Sequence, residues 1–502
     1  MPRTLDARQL AHFGWFLLIW GLPWSHAAMS AGTGIVGLAW VWQTVRRPRQ
    51  SPRPPRPWVK WAAAWLGFEV LSLAWSEHLT PGWHMLRMQL PLLLLLAASR
   101  TAPPASRRTL WVLGSAAAAL AGVLAFGAWR LGQGEALAPR DWTPWTSHIR
   151  LSLLAALGVG WGLSDPFPSR AQTWLVATCL GLWAVFFAVA GSLTTAVLLP
   201  AALAWGAWVR WKNRLPSWAW VGGIAGALAL GAGAGAAVLR PVDLPAKPWA
   251  ESTPWGNAYD HRPDKWLSEG GHRVHMHVCE SEWENGWRAV SDVPLDGPRG
   301  SLRPALLRYV TSLGLPKDGA TLAALSPEHV RAIEARRTNV HEARGMAQRL
   351  RELRFELEMW HDGGNPSGHS LVQRLEHWRA GWHAFAAAPL VGHGMGDFGA
   401  AMAEAYEEAG SKLVPNVRHG THNQFLNVLV RTGLAGGLAW VGFLAAGAAG
   451  TRRLGSRSSR MAAAWGWGVL VASCLVEDTV ETQAGVLIAL LALLPLEGPN
   501  DA

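Results

Sequence analysis

The sequence predicts an all-α polytopic membrane protein of about twelve transmembrane helices, with a large, mainly helical polar insertion before the last three. Composition is the first reason. Half of the 502 residues are apolar and 16% are charged, yet mean hydropathy is only +0.11. That combination excludes both a string of soluble domains and a pure membrane bundle. The second reason is the spacing of apolar runs. They fall near 10–25, 28–45, 58–75, 84–99, 109–130, 148–163, 171–190, 193–211, 217–238, 423–449, 461–476 and 483–497, each approaching the roughly 20 residues that a spanning helix needs.

The third reason is where the basic residues lie. Runs containing Arg46, Arg47 and Arg49, then Arg100, Arg107 and Arg108, then Arg210, Lys212 and Arg214, then Arg452, Arg453, Arg457 and Arg460 follow even-numbered spans. All face the cytoplasm if the N-terminus starts there. The net charge of +11 is thus a topological signal, and no nucleic-acid partner is expected. Tryptophans flanking the runs, such as Trp58, Trp61, Trp129, Trp218 and Trp220, suit a membrane–water interface. His26-Ala27-Ala28 resembles a signal-peptide cleavage site, but an uncleaved first helix puts both termini inside without further assumption. The expected organisation is a transmembrane bundle over 1–239, a polar domain over 240–421 on the non-cytoplasmic side, and C-terminal spans over 422–502.

Within the insertion, His272–Val278 alternates like a short strand. Ser326-Pro327-Glu328 is a helix start, and the amphipathic pattern after it, with Ile333, Val340, Leu350, Leu353 and Leu357 as an apolar stripe, runs to about Trp360. His361-Asp362-Gly363-Gly364 ends it, and a second helix is expected over 371–388 before Pro389. The three cysteines (Cys179, Cys279, Cys474) give neither a disulfide framework nor metal-ligand spacing. Of His272, His275 and His277, the pair His275 and His277 has no third ligand at a typical spacing, and such histidines read as surface residues. The glycines around Gly392, Gly394 and Gly396 lack the Lys-Ser/Thr of a phosphate loop and read better as tight turning.

Chemistry is expected where ionisable groups meet the membrane, because such residues need a cavity or a partner there. His148 and Arg150 open the sixth run, Arg87 starts the fourth, and Arg418, His419, His422, Asn423 and Gln424 lead into the tenth. Glu477, Asp478, Glu481 and Gln483 fill the last gap. Guanidinium groups at one membrane face suit an anionic, membrane-embedded substrate, and histidine can take a proton near neutral pH. The bland reading is interfacial anchoring by snorkelling side chains, which fits Arg87 better than a role in binding.

Four segments in order carry a resemblance: Arg374-Leu375-Glu376-His377-Trp378; Pro389 through Gly392, Gly394 and Gly396 to Phe398; His422-Asn423-Gln424-Phe425-Leu426; and Gly433-Leu434-Ala435-Gly436. This order resembles the O-antigen ligase and polymerase family. Asn365–Ser370, Ser147–Arg150 and Glu481–Gly485 resemble recurring segments of one bacterial subgroup of O-antigen-ligase-like proteins. The resemblance implies a bacterial inner-membrane glycosyltransferase working at the periplasmic face on a glycan carried by undecaprenyl diphosphate. The acceptor would be lipid A–core in a ligase, another lipid-linked repeat in a polymerase, or a protein in some relatives. No nucleotide sugar, cofactor or metal is implied.

Carried over residue by residue, the resemblance makes His422 the base. Arg150 and Arg418 become candidates for the diphosphate, with Arg87 behind them; His148, His419, Asn423 and Glu481 join the substrate-binding set. The family often has a Ser-Arg pair where this chain reads Ser192-Leu193-Thr194, so Arg150 would substitute. His419 beside Arg418 leaves two histidines open as the functional one. A lipid-linked-sugar transporter is the non-enzyme alternative, and the lack of an internal repeat argues against it.

Overall fold

The computed structural model describes residues 6–46, 57–134, 139–211, 240–298, 300–341 and 345–497, with isolated positions between 211 and 240. The predicted run over 217–238 lies outside the described residues, as do Trp218 and Trp220. Every other predicted run is helical. The first eight helices are α1 (Ala7–Gly21), α2 (His26–Arg46), α3 (Pro57–Leu71), α4 (Leu79–Ala97), α5 (Ala105–Gly132), α6 (His148–Ser164), α7 (Arg170–Ala190) and α8 (Leu193–Trp211). Side-chain oxygens of Asp6, Ser147 and Ser169 cap α1, α6 and α7, accepting first-turn N–H groups that would otherwise be orphaned.

The chain divides into two compact units, Met1–Gly223 with Arg374–Ala502, and Ile224–Gln373. The second unit is polar. It holds α9 (Trp283–Arg288), α10 (Arg303–Ser312), α11 (Gly319–Ala323), α12 (Pro327–Glu334) and α13 (Gly345–His361), with two-residue hairpins β1–β2 (Ser268–Glu269, His272–Arg273) and β3–β4 (Asp296–Gly297, Gly300–Ser301). Trp283, Trp287, Leu306, Tyr309, Leu322 and Ile333 centre its core.

Two expectations need correction here. The strand over His272–Val278 shrinks to His272–Arg273, because the chain turns over 274–277, where His277 takes φ +54°. The single long helix from Ser326 is two helices. Arg336 turns the chain at φ +59°, and its guanidinium donates to the carbonyls of Gly300 and Ser301. These tertiary bonds override a pattern that is periodic through the break.

The C-terminal helices are α14 (Ser370–Ala387), α15 (Phe398–Glu408), α16 (Gln424–Arg452), α17 (Arg457–Val476) and α18 (Gln483–Leu493). Among the described residues five helices are long and apolar enough to cross a membrane: α5, α7, α8, α16 and α17. The shorter α6 and α18 are apolar all round and buried nearly throughout, as expected of helices at the centre of a bundle. The compact-unit boundary falls at 373/374, so residues 374–421 pack with the helical body. Ala380 and Ala384 of α14, Phe398, Met402, Ala405 and Tyr406 of α15, and Val430 of α16 form one small core there.

The feature that positions everything after α14 is a break in α16. Gly433 has φ +59° and ψ −159°, which opens the backbone ladder. The 389–397 loop closes it again. His393 and Gly394 N–H donate to the carbonyls of Val430 (2.9 Å) and Arg431 (2.9 Å), while Leu434 and Ala435 N–H donate to Pro389 (2.8 Å) and Leu390 (3.2 Å). A Cβ on Gly392 would lie 2.4 Å from the Arg431 carbonyl, and one on Gly433 would lie 2.4 Å from that of Leu390. The loop's other edge docks on the α3–α4 connection. Ser72 and Ser76 accept the N–H groups of Met395 and Gly396, and the Asp397 carboxylate accepts those of Glu77 and His78. The glycines therefore permit backbone-to-backbone approach and φ > 0, in line with tight turning.

Gly392→Ala and Gly433→Ala are each expected to lower the stability of the purified protein by about 2 kcal/mol or more. Gly399→Ala, on α15 with nothing within 4 Å of the added methyl, should be neutral or slightly stabilising. Thermal unfolding in detergent separates the two outcomes.

Candidate active site

His422 immediately precedes α16, whose N-cap Asn423 accepts the Leu426 N–H through its side chain. Its backbone sits at φ +50°, an uncommon conformation for a non-glycine residue and one that the surroundings must hold. The 421–427 turn supplies that hold. Thr421 donates its N–H and hydroxyl to the Asn427 side-chain oxygen and accepts the Asn423 N–H, and the Asn423 amide donates to the Leu475 carbonyl.

The 477–482 segment between α17 and α18 brings acids to this turn. Asp478 Oδ1 lies 3.6 Å from His422 Nδ1, a charge contact beyond hydrogen-bond length. The neighbouring Asp478 carboxylate lifts the His422 pKa above its ordinary value of 6.5, outweighing burial, which lowers it. For Asp478 burial works to raise the pKa, but His422 and then Arg150 bring it below the usual carboxylate range. Arg150, at the start of α6, donates to Thr482 Oγ1 at 2.9 Å. Arg374 Nη2 of α14 pairs with Glu477 Oε1 at 2.6 Å.

His377, one turn along α14 from Arg374, packs its ring 5.3 Å from that of His422. Its Nδ1 bonds to the Tyr406 hydroxyl, which donates to the His419 carbonyl at 2.9 Å. Since the phenol proton goes to His419, Nδ1 of His377 is the donor in that contact. Burial, followed by the nearby cationic groups, pulls the His377 pKa down to about 3. His377 is therefore neutral beside His422.

A second layer lies beneath. Arg431 of α16 is fully buried, with Nη1 2.9 Å from Glu481 Oε1 and Nη2 3.2 Å from Glu69 Oε1 of α3. Neither contact has hydrogen-bonding geometry at the guanidinium, so the triad is held by charge. Glu481 also accepts from Asn427 (2.8 Å) and Gln424 (3.3 Å), and the Gln424 side-chain oxygen accepts the Val480 N–H. Through these bonds the α16 N-terminus fixes the segment that carries Asp478.

Among the sequence-predicted residues, His422, Asn423, Arg150 and Glu481 are brought together. His148 adjoins Arg150 at the start of α6, half-buried, and its carbonyl accepts from Ser152. Arg418 turns into its own loop, pairing with Glu407 and donating to the carbonyls of Leu413 and Ser411. The His419 ring is exposed, with its centroid 6.5 Å from that of His377. Arg87 is exposed on α4 and contacts His84 Nδ1 at 3.2 Å. Glu69, Arg431, His377 and Tyr406 had no assigned role from sequence. Lone charges inside apolar runs were the available signal for Glu69 and Arg431.

His422 Nδ1 and the carboxylates of Glu477 and Asp478 lie within 4.8 Å of one another and could hold a metal ion. Arg374 on Glu477 and Arg150 near Asp478 already supply positive charge there, which opposes a cation.

A family profile described as O-antigen ligase matches residues 328–441. Over those residues the chain is similar to the O-antigen ligase family. The matched segment holds α14, the glycine loop, His422 and the broken start of α16, so the family signature and the geometric site coincide. Arg150, Glu69 and the 477–482 acids lie outside the matched residues, yet Arg150, Asp478 and Glu481 surround the His422 turn. No curated protein matches the chain.

Arg431→Met leaves two buried carboxylates without their cation and should destabilise the protein by about 3–5 kcal/mol. Glu69→Gln keeps the shape and leaves Arg431 paired with Glu481, so its loss should be smaller. Unfolding followed by tryptophan fluorescence in detergent reads both.

Proposed function

We propose that the protein is an O-antigen-ligase-type membrane glycosyltransferase with His422 as its base. In this reading a glycan on undecaprenyl diphosphate is transferred at the periplasmic face to an acceptor hydroxyl, with lipid A–core as the acceptor. The similarity to the O-antigen ligase family supplies the reaction class. The observation that carries the residue assignment is His422 beside Asp478, with Arg150 and Arg374 on the same segment. About twelve spans, with the 240–421 insertion on the periplasmic side, belong to the same proposal.

The chemistry follows from these groups. Asp478 faces Nδ1, which leaves His422 Nε2 to take the proton of the acceptor hydroxyl. The acceptor oxygen bonds to the anomeric carbon as the bond from that carbon to the diphosphate oxygen breaks. The diphosphate leaves with the electron pair, and arginine guanidinium groups stabilise its charge. Arg150 has one donor on the neutral Thr482 hydroxyl, so its guanidinium is available to an anion; Arg374 would exchange Glu477 for phosphate. Asp478 stabilises the imidazolium formed, and the proton passes to the leaving diphosphate or to water. Neutral His377 adds no charge to this step.

Expected outcomes are specific. His422→Gln should lower turnover by about 10²–10⁴-fold in proteoliposomes given lipid-linked glycan and acceptor. An unchanged rate would eliminate His422 as the base. His422 must be neutral to accept a proton, and its pKa is raised, so the rate should climb with pH through a value above 6.5. Asp478→Asn removes the raising charge, and the rising limb should move to lower pH while maximal turnover falls. Wild-type protein that elongates lipid-linked repeats with no other acceptor present would be a polymerase.

A further inference from the structure

The end of α14 and the turn after it, Ala384 through Val391, read Ala-Phe-Ala-Ala-Ala-Pro-Leu-Val, without one charged, amide or hydroxyl side chain. The turns before it hold Arg374, Glu376, His377, Arg379 and His383. The apolar stretch has a fixed place beside α16. Gly381 faces Thr421 and Leu426, Ala384 shares a core with Val430, and the carbonyls of Pro389 and Leu390 accept from Leu434 and Ala435. Moving along α14 toward the turn is therefore moving along α16 away from its N-terminus. α16 is one of the helices long and apolar enough to cross a membrane. Leu434 stands about 27 Å of helix from Arg452 at the other end, and a hydrocarbon core is about 30 Å thick. The 389–391 turn thus reaches hydrocarbon depth.

Its side chains suit that depth. The exposed residues run Arg379, then Trp382 and His383, then Ala386 and Ala387, then Pro389, Leu390 and Val391. Charge, then indole, then aliphatic side chain is the succession from headgroups to acyl chains. Leu390 is 70% and Val391 54% exposed, and the patch continues down the outward face of α16 through Leu434 and Leu438. Apolar surface of this kind marks an interaction site, and its continuity with the face of a spanning helix names the occupant. The backbone is suited as well. The carbonyls of Ala388, Pro389 and Leu390 accept the N–H groups of Gly392, Leu434 and Ala435, so they do not enter hydrocarbon unpaired.

We propose that Trp382–Val391 is a membrane-inserted element, with the 389–391 turn covered by the acyl chains of the bilayer. α14 dips into the leaflet that holds the N-terminal part of α16, so the connection before that span returns to the membrane ahead of it. The His422 turn, against Gly381 of the same helix, then sits just above the acyl chains. The inference rests on α16 crossing the membrane and is independent of the role given to His422.

The test places a nitroxide label on Leu390→Cys and Val391→Cys of the full-length protein in phospholipid nanodiscs. The native Cys179, Cys279 and Cys474 are buried, and unsubstituted protein gives the background labelling. Collision with oxygen, which partitions into lipid, is compared with collision with a water-soluble nickel chelate. Leu438→Cys on α16 is the lipid standard and Glu408→Cys, on the exposed end of α15, the water standard. Labels at 390 and 391 should favour oxygen as at 438, with the opposite preference at 408. Preference for nickel at 390 and 391 would mean water covers the turn, and weak collision with both reagents would mean protein covers it. Either result overturns the proposal. Preference for nickel at 438 also overturns it, by removing the spanning helix on which it rests.

Discussion

A helix in a low-dielectric slab cannot leave backbone groups unpaired, and α16 breaks within its apolar length at Gly433. The break is tolerated because the 389–397 loop supplies two N–H donors and two carbonyl acceptors to the opened turn. Each such bond contributes only about 0.5–1.5 kcal/mol net, but an orphaned group in that setting costs more than its bond is worth. Loop and helix are therefore one structural element. Its outer edge is tied by Ser72, Ser76 and Asp397 to the α3–α4 connection, which also brings Glu69 of α3 to Arg431, two residues before the break.

The charges around His422 follow an order. Glu69 and Glu481 flank Arg431; Asp478 faces His422 with Arg150 nearby; Glu477 faces Arg374. Each acid has a base beside it, and neighbouring acids still repel. Burial raises the Glu481 pKa against the pull of Arg431, and Asp478 adds to the rise. Histidine is the side chain whose ordinary pKa lies nearest neutrality, and Asp478 lifts that of His422 above its ordinary value. His377, by contrast, is buried and kept neutral, so a second positive charge does not form against it.

The polar unit is organised differently. Its ion pairs are mostly satisfied ones, such as Arg308 with Glu269, Arg354 with Glu358 and Arg303 with Asp296.

Much of the fold was legible in the sequence, because membrane helices are specified by local composition. Apolar length marked the helices closely, and the glycine spacing pointed to tight turning. His422, the proposed base, was marked out by the order of motifs around it. The two-residue strand at His272 and the break at Arg336 were not, since long-range bonds to Gly300 and Ser301 decide the turn. Nor could sequence choose among the arginines. Arg418 and Arg150 are equally basic on paper, but one is spent on its own loop while the other reaches the segment that bears Asp478. The helices, and the motif order that points to His422 as the proposed base, are thus written locally. Asp478, the carboxylate that raises the pKa of His422, lies more than fifty positions away, and only the packed structure brings the two within 4 Å.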